Sequence, residues 1–174
     1  MNLDILKQNL RTIPDFPKKG ILFYDITTLF KSADCLAELS DRLYGLYKDK
    51  GITKVVGIES RGYIMGAVLA ARLGAGFVPV RKAGKLPAEV FSEEYELEYG
   101  NAVIEIHQDA ISEDDVVLVH DDLLATGGTM EAARRLVERN HPKAVYLNCI
   151  IELMELDGRK AFPEGEEITS ILQL

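Results

Sequence analysis

A chain of 174 residues, 47% hydrophobic and 28% charged, holds enough apolar material for one packed core and is far from a disordered composition. Its net charge of −8 argues against the basic face that non-specific nucleic-acid or anionic-membrane binding requires, while leaving room for a local basic loop that holds a small anion. Cys35 and Cys149 form no C-x-x-C pair and read as buried thiols of a reducing compartment; with no basic-then-apolar leader and no apolar run near the roughly 18 residues of a membrane span, a cytoplasmic protein is expected.

Residues 3–11 read as a short helix. Residues 12–20, T-I-P-D-F-P-K-K-G, cannot continue it, because two prolines remove backbone donors and the glycine closes a turn. An extended segment over Ile21–Phe30 follows. From Asp34 to Lys50, Leu36, Leu39, Leu43, Leu46 and Tyr47 recur at helical spacing, with Gly51 as the stop. Lys54–Ile58 reads as a buried strand, Arg61–Leu73 as a helix of small residues, and Gly76–Val80 as another strand. Residues 82–106, rich in Glu, Tyr and Lys, interrupt the alternation and suggest a flap or hairpin projecting from the sheet. Val116–Val119 is a wholly apolar strand, followed by a polar turn, a helix over about Gly128–Arg139, and a strand over Val145–Ile151. Short apolar strands alternating with helices imply a doubly wound α/β fold: a mostly parallel sheet with helices on both faces. No repeat, low-complexity tract or linker divides the chain, so one domain is expected.

The densest chemistry lies in V-V-L-V-H-D-D-L-L-A-T-G-G-T, residues 116–129. A hydrophobic strand ends in Asp121 and Asp122, and a loop of Ala125, Thr126, Gly127, Gly128 and Thr129 opens a helix. Such a loop can aim several backbone N–H groups at one anion, with the helix N-terminus adding partial positive charge. The glycines permit close approach to a phosphate, and the threonines offer hydroxyls. Two carboxylates repel a phosphate and suit sugar hydroxyls instead. The combination describes a sugar-phosphate site at the carboxyl end of a sheet strand, beside the plainer reading of an Asx-capped turn. Neither the Walker nor the dinucleotide glycine pattern is present.

Residues 116–129 resemble the phosphoribosyl pyrophosphate signature of the type I phosphoribosyltransferases, and D-D-L-L-A-T-G-G-T resembles their adenine-specific branch. Three further blocks, in order, strengthen the resemblance. I-P-D-F-P-K-K-G-I-L-F-Y-D-I-T, residues 13–27, is similar to that branch's base-binding segment. G-I-E-S-R-G-Y-I-M-G, residues 57–66, is similar to its pyrophosphate loop. R-K-A-G-K-L-P and Y-E-L-E-Y-G, residues 81–87 and 95–100, are similar to its mobile flap. The resemblance implies one domain over 1–174, with a base-binding hood over about 1–33 and a flap over about 82–106.

It also implies roles. Ser60 and Arg61 would take pyrophosphate; independently, Arg61 directly after a strand can present its guanidinium at the sheet's carboxyl edge. A cis peptide between Glu59 and Ser60 is implied as well. Arg81, Lys82 and Lys85 form a basic cluster in an acidic chain, and the resemblance gives them pyrophosphate, partly across a homodimer interface. The family usually has proline where this chain has Ala83. Phe23 lies in an extended segment where a core aromatic is the ordinary reading; the resemblance instead has its ring stack on the purine while the backbone near Leu22 reads the base edge, a readout that separates 6-amino from 6-oxo purines because a mismatch leaves buried polar groups unpaired. Some relatives carry arginine at the position of Tyr24. Among Glu93, Glu94, Glu96 and Glu98, only the match to the motif singles out Glu98, with Tyr99, as the acid–base group. His120, at a position usually apolar in the family, receives no role.

The resemblance implies a Mg²⁺-assisted transfer of ribose 5-phosphate from 5-phosphoribosyl 1-pyrophosphate to adenine, giving AMP and pyrophosphate. The magnesium would be held mainly by substrate oxygens, with no dedicated protein ligand set. Two rivals remain open: a transferase for hypoxanthine, guanine or xanthine, and a non-catalytic phosphoribosyl pyrophosphate sensor.

Overall fold

The computed structural model describes residues 3–96 and 100–174. They form two compact units, one running to Leu43 and one from Tyr44 to Leu174.

The first unit begins with helix α1 (Asp4–Asn9), strand β1 (Arg11–Pro14), strand β2 (Leu22–Asp25) and the single-turn helix α2 (Thr27–Phe30). β1 and β2 pair antiparallel, Arg11 opposite Asp25 and Pro14 opposite Leu22. The expected extended segment over Ile21–Phe30 therefore stops at Asp25. Its carboxylate explains the change: Oδ1 accepts from the Thr27 amide at 3.0 Å and the Thr27 hydroxyl at 2.5 Å, which starts α2. The other oxygen, Oδ2, takes the Arg11 guanidinium. These Thr27 bonds, then Arg11, hold the Asp25 carboxyl below its ordinary range. Leu6, Ile26, Leu29 and Cys35 are fully buried in this unit.

Helix α3 (Ala33–Tyr47) buries Cys35, Leu39, Leu43 and Tyr47, one residue per helical turn, while Leu46 stays exposed. Beyond it run β3 (Lys54–Ile58), helix α4 (Gly62–Leu73), β4 (Gly76–Lys82), β5 (Val90–Glu96), β6 (Asn101–His107), β7 (Val116–Leu124), helix α5 (Gly128–Glu138), β8 (Ala144–Glu152), two short 3-10 turns over Met154–Leu156 and Gly158–Ala161, and β9 (Ile168–Gln173). Among the described residues, seven strands form one sheet in the order β5-β6-β4-β3-β7-β8-β9. The block from β4 to β9 is parallel, and β6 joins β4 antiparallel through Arg81–Glu105 and Lys82–Ile104. The hairpin expected over 82–106 is there, but its strands prolong the sheet instead of standing off it, and Ile104 and Ile106 enter the core.

Side chains alternate across a strand, so β3 serves both faces. Val56 and Ile58 meet Ala132, Ala133, Leu136 and Val137 of α5 in one core cluster. Gly57 faces the other way, where a Cβ would lie 2.6 Å from the Phe77 ring; one at Gly66 of α4 would lie 3.1 Å from it. Small residues in α4 thus let the helix press onto the sheet around a single aromatic ring. The sequence pattern missed β9 and read β7 too short. β7 continues through both aspartates to Leu124, because the ladder to β8 persists where the apolar run ends.

Candidate active site

β3 and β7 lie side by side and parallel, so their carboxyl ends open at the same edge of the sheet. There they wall a cleft of about 330 Å³. Ser60 and Arg61 enter it from the turn after β3, Asp121 and Asp122 from the end of β7, and Ala125, Thr126, Gly127 and Thr129 from the loop into α5. Gly128 stands at the first helical position of α5, where backbone N–H groups have no intrahelical acceptor. Glu59 and Tyr95 also line the cleft, though neither stood out as an individual residue in the sequence. For Glu59 the available signal was its place one residue before Ser60.

The Glu59–Ser60 peptide is cis, and Arg61 forms the N-cap of α4. Gly62 brings that helix end against β7: a Cβ there would lie 2.9 Å from Asp121 Oδ1 and 3.0 Å from the His120 carbonyl oxygen. Arg61 Nε sits 2.9 Å from Asp122 Oδ2, an ion pair with its acid side almost buried. Asp121 Oδ1 accepts from the Asp122 amide at 2.8 Å. Burial pushes the Asp121 carboxyl well up, the adjacent Asp122 charge adds to this, and Arg61 opposes it. Burial also raises Asp122, against the pull of Arg61. Two carboxylates are thus held close behind one guanidinium at the cleft wall.

The loop's shape depends on a glycine. Gly127 has φ +87° and caps α5, and a Cβ on it would fall 2.1 Å from the Gly158 carbonyl oxygen. Arg81, Lys82 and Lys85 gather on Glu59 itself. Lys85 Nζ reaches Glu59 Oε1 at 2.6 Å, the Lys82 amide donates to Oε2 at 2.9 Å, and Arg81 Nε lies 3.5 Å from Oε2. The Lys85 bond, with Lys82 and the nearby charges, keeps the Glu59 carboxyl below its ordinary value. Tyr63 donates to the Val80 carbonyl at 2.9 Å and stands behind this cluster; burial, then Glu59, push its hydroxyl up to about 12.

Leu22 and Phe23 belong to the first unit, where Phe23 is half-buried and meets Phe16 edge to face at 5.1 Å, while Leu22 is exposed. Glu98 and Tyr99 lie outside the described residues. His120 is fully buried, its Nδ1 2.8 Å from Asn148 Oδ1, and burial lowers its pKa to about 4. Among the described residues no cluster of three or more His, Cys, Asp or Glu could hold a metal, and no helix is long and apolar enough to cross a membrane.

Residues 25–165 match the family model of the phosphoribosyl transferase domain. The chain is 66% identical over 174 residues to the adenine phosphoribosyltransferase of Phocaeicola vulgatus, covering 100% of both chains. The crystal structure of adenine phosphoribosyltransferase from Rhodothermus marinus is similar at a TM-score of 0.92 and 51% identity, over 99% of this chain and 98% of that one. The Giardia lamblia enzyme complexed with 9-deazaadenine is similar at a TM-score of 0.93 and 40% identity, over 100% and 98%.

Proposed function

The chain belongs to the phosphoribosyl transferase family, in its adenine-specific branch, and from that premise we propose how its residues divide the work of converting adenine and 5-phosphoribosyl 1-pyrophosphate to AMP and pyrophosphate. The observation that carries the reading is the meeting of the Asp121–Asp122 pair, the Ala125–Thr129 loop and Arg61 in one cleft.

Main-chain N–H groups of Ala125 to Thr129 and the partial positive end of α5 hold the 5′-phosphate, helped by the Thr126 and Thr129 hydroxyls. Asp121 and Asp122 accept from the ribose hydroxyls. Arg61 exchanges part of its bond to Asp122 for pyrophosphate oxygens, beside Ser60. Arg81, Lys82 and Lys85 neutralise the departing pyrophosphate, with Glu59 keeping the cluster in place before substrate arrives. The Phe23 ring stacks on adenine, and the backbone at Leu22 reads its edge. An imidazole-ring nitrogen of adenine forms a bond to the anomeric carbon, on the face opposite the leaving group, as the bond to pyrophosphate breaks. The transition state is oxocarbenium-like and the carbon inverts. The proton released from the base goes to Glu98, beside Tyr99. Closure of residues 82–100 excludes water, which would hydrolyse the activated sugar.

Magnesium suits this cleft, since its hard-oxygen chemistry matches two carboxylates and the substrate's own oxygens. Bound mainly to substrate, with Asp121 and Asp122 nearest on the protein, it would offset pyrophosphate charge. A homodimer rests on the family resemblance, as does one domain over the whole chain with its N-terminal segment as the base-binding hood. The two unpaired, buried cysteines support a reducing cytoplasm.

The test is titration of ribose 5-phosphate into the protein and into a Gly128→Pro variant, alongside pyrophosphate release with adenine or hypoxanthine. Binding lost in the variant and release with adenine alone are expected. Equal binding in both proteins would remove the loop from the reading.

A further inference from the structure

The phosphate loop is held from behind by backbone. The Gly158 carbonyl occupies the place a Cβ would take on Gly127, and a Cβ on Gly158 would fall 2.3 Å from the Ala125 carbonyl oxygen and 3.2 Å from the Gly127 nitrogen. Two glycines distant in sequence therefore interlock, and any shift of Gly158 is passed directly to Ala125 and Gly127. What fixes Gly158 is its neighbour. Arg159 Nε and Nη2 bond both oxygens of Glu152 at 2.6 and 2.9 Å, and Nη2 also reaches the Ile168 carbonyl at 2.9 Å. Glu152 ends β8, is only 3% exposed, and accepts from Ser170 Oγ at 2.6 Å and Gln173 Nε2 at 3.3 Å. A bidentate carboxylate–guanidinium pair fixes orientation as well as distance. The same segment is sewn to β7 by the Leu153 amide on the Leu124 carbonyl at 3.0 Å.

We propose that Glu152, acting through Arg159 and Gly158, is a positioning residue for the 5′-phosphate: it sets the shape of a loop it does not itself line. The proposal rests on the assignment of the Ala125–Thr129 loop to that phosphate.

A structural anchor with no such role would affect all substrates together, so the test separates them. KM for phosphoribosyl pyrophosphate, KM for adenine, kcat and the equilibrium affinity for ribose 5-phosphate are measured in wild type, Gly158→Ala, Glu152→Gln and Ser170→Ala. Ser170→Ala removes the bond that Ser170 Oγ donates to Glu152 and the long one it accepts from Gln173 Nε2 at 3.4 Å, and leaves the ion pair intact, so it is the variant that remains folded if the others do not. The expected result is a weakening of ribose 5-phosphate binding, with matching rises in KM for the pyrophosphate substrate, by tenfold or more in Gly158→Ala and Glu152→Gln and two- to fourfold in Ser170→Ala. KM for adenine stays within twofold. Equal changes in both KM values, or unchanged affinity in folded variants, overturn the proposal. Failure of the wild type itself to bind ribose 5-phosphate would instead sink the loop assignment beneath it.

Discussion

The two walls of the cleft are built from different material. On the β7 side the phosphate loop is shaped by main chain against main chain, Gly127 on Gly158, with buried groups behind it. On the β3–β4 side the basic cluster is shaped by the long Arg81 and Lys85 side chains gathered on Glu59, with the Lys82 amide beside them, and Lys85 keeps 45% of its side-chain exposure. The first wall cannot adjust without moving backbone. The second can exchange partners by rotating side chains. On the proposed assignment, that difference fits the two ends of the substrate: the 5′-phosphate is the same before and after transfer, while the pyrophosphate must be gripped, discharged and released.

The contrast breaks most visibly at Gly127. Gly127→Ala places a methyl at φ +87° and 2.1 Å from a carbonyl oxygen, so the loop must deform. Strain of about 1–3 kcal/mol on top of misplaced donors is expected to lower kcat/KM for phosphoribosyl pyrophosphate by at least about 100-fold. Steady-state kinetics with both substrates checks it, and an affinity near wild type would mean the loop is not rigid.

Acid should also act on the buried wall. Neutral His120 is favoured in the fold, with a pKa near 4 against an ordinary 6.5, whereas the unfolded chain takes up the proton. The stability this group contributes is therefore complete above pH 6.5 and lost as pH falls towards 4, up to roughly 3 kcal/mol. Asp121 and Asp122, raised by burial, act in the opposite sense, so the informative quantity is the difference between proteins. Denaturant unfolding of wild type and His120→Leu at pH 7 and 4.5 should show a shallower decline in the variant; parallel declines would clear His120.

Arg61→Lys keeps the charge but loses the fork and the Nε contact to Asp122. A loss of about 10- to 50-fold in kcat/KM is expected from a bidentate pair reduced to a point charge. The smallest effect belongs to the adaptable wall. Lys85→Ala should cost no more than about fivefold in kcat/KM, and the cost should shrink with added salt, as for exposed ion pairs. A larger, salt-independent loss would show that wall to be as fixed as the other.

How much of this could be read from the residues depends on range. β3, α4, β4 and α5 were legible because each carries its own apolar periodicity, and D-D-L-L-A-T-G-G-T states a strand, two acids and a helix start in consecutive residues. The continuation of β7 through Asp121 and Asp122 was hidden, since pairing with β8 carries polar residues that propensity would put in a turn. The β1–β2 pairing and β9 were missed for a related reason: both are short, partly exposed strands with little periodicity. In the site, Glu59 was one acid among 28 acidic residues until three basic neighbours were seen around it. Gly158 gave no local signal, as its partner lies in a loop far back in the chain.

That long separation has a consequence for biosynthesis. A polypeptide emerging from the ribosome has its whole phosphate motif in place by Thr129, yet Glu152, its guanidinium partner Arg159, and the β9 residues Ser170 and Gln173 are translated later. Because synthesis runs from the N-terminus, the nascent enzyme passes through a stage in which the motif has been made and the residues behind it have not. On the proposed role of Glu152, the loop takes its binding shape only after β9 has been made.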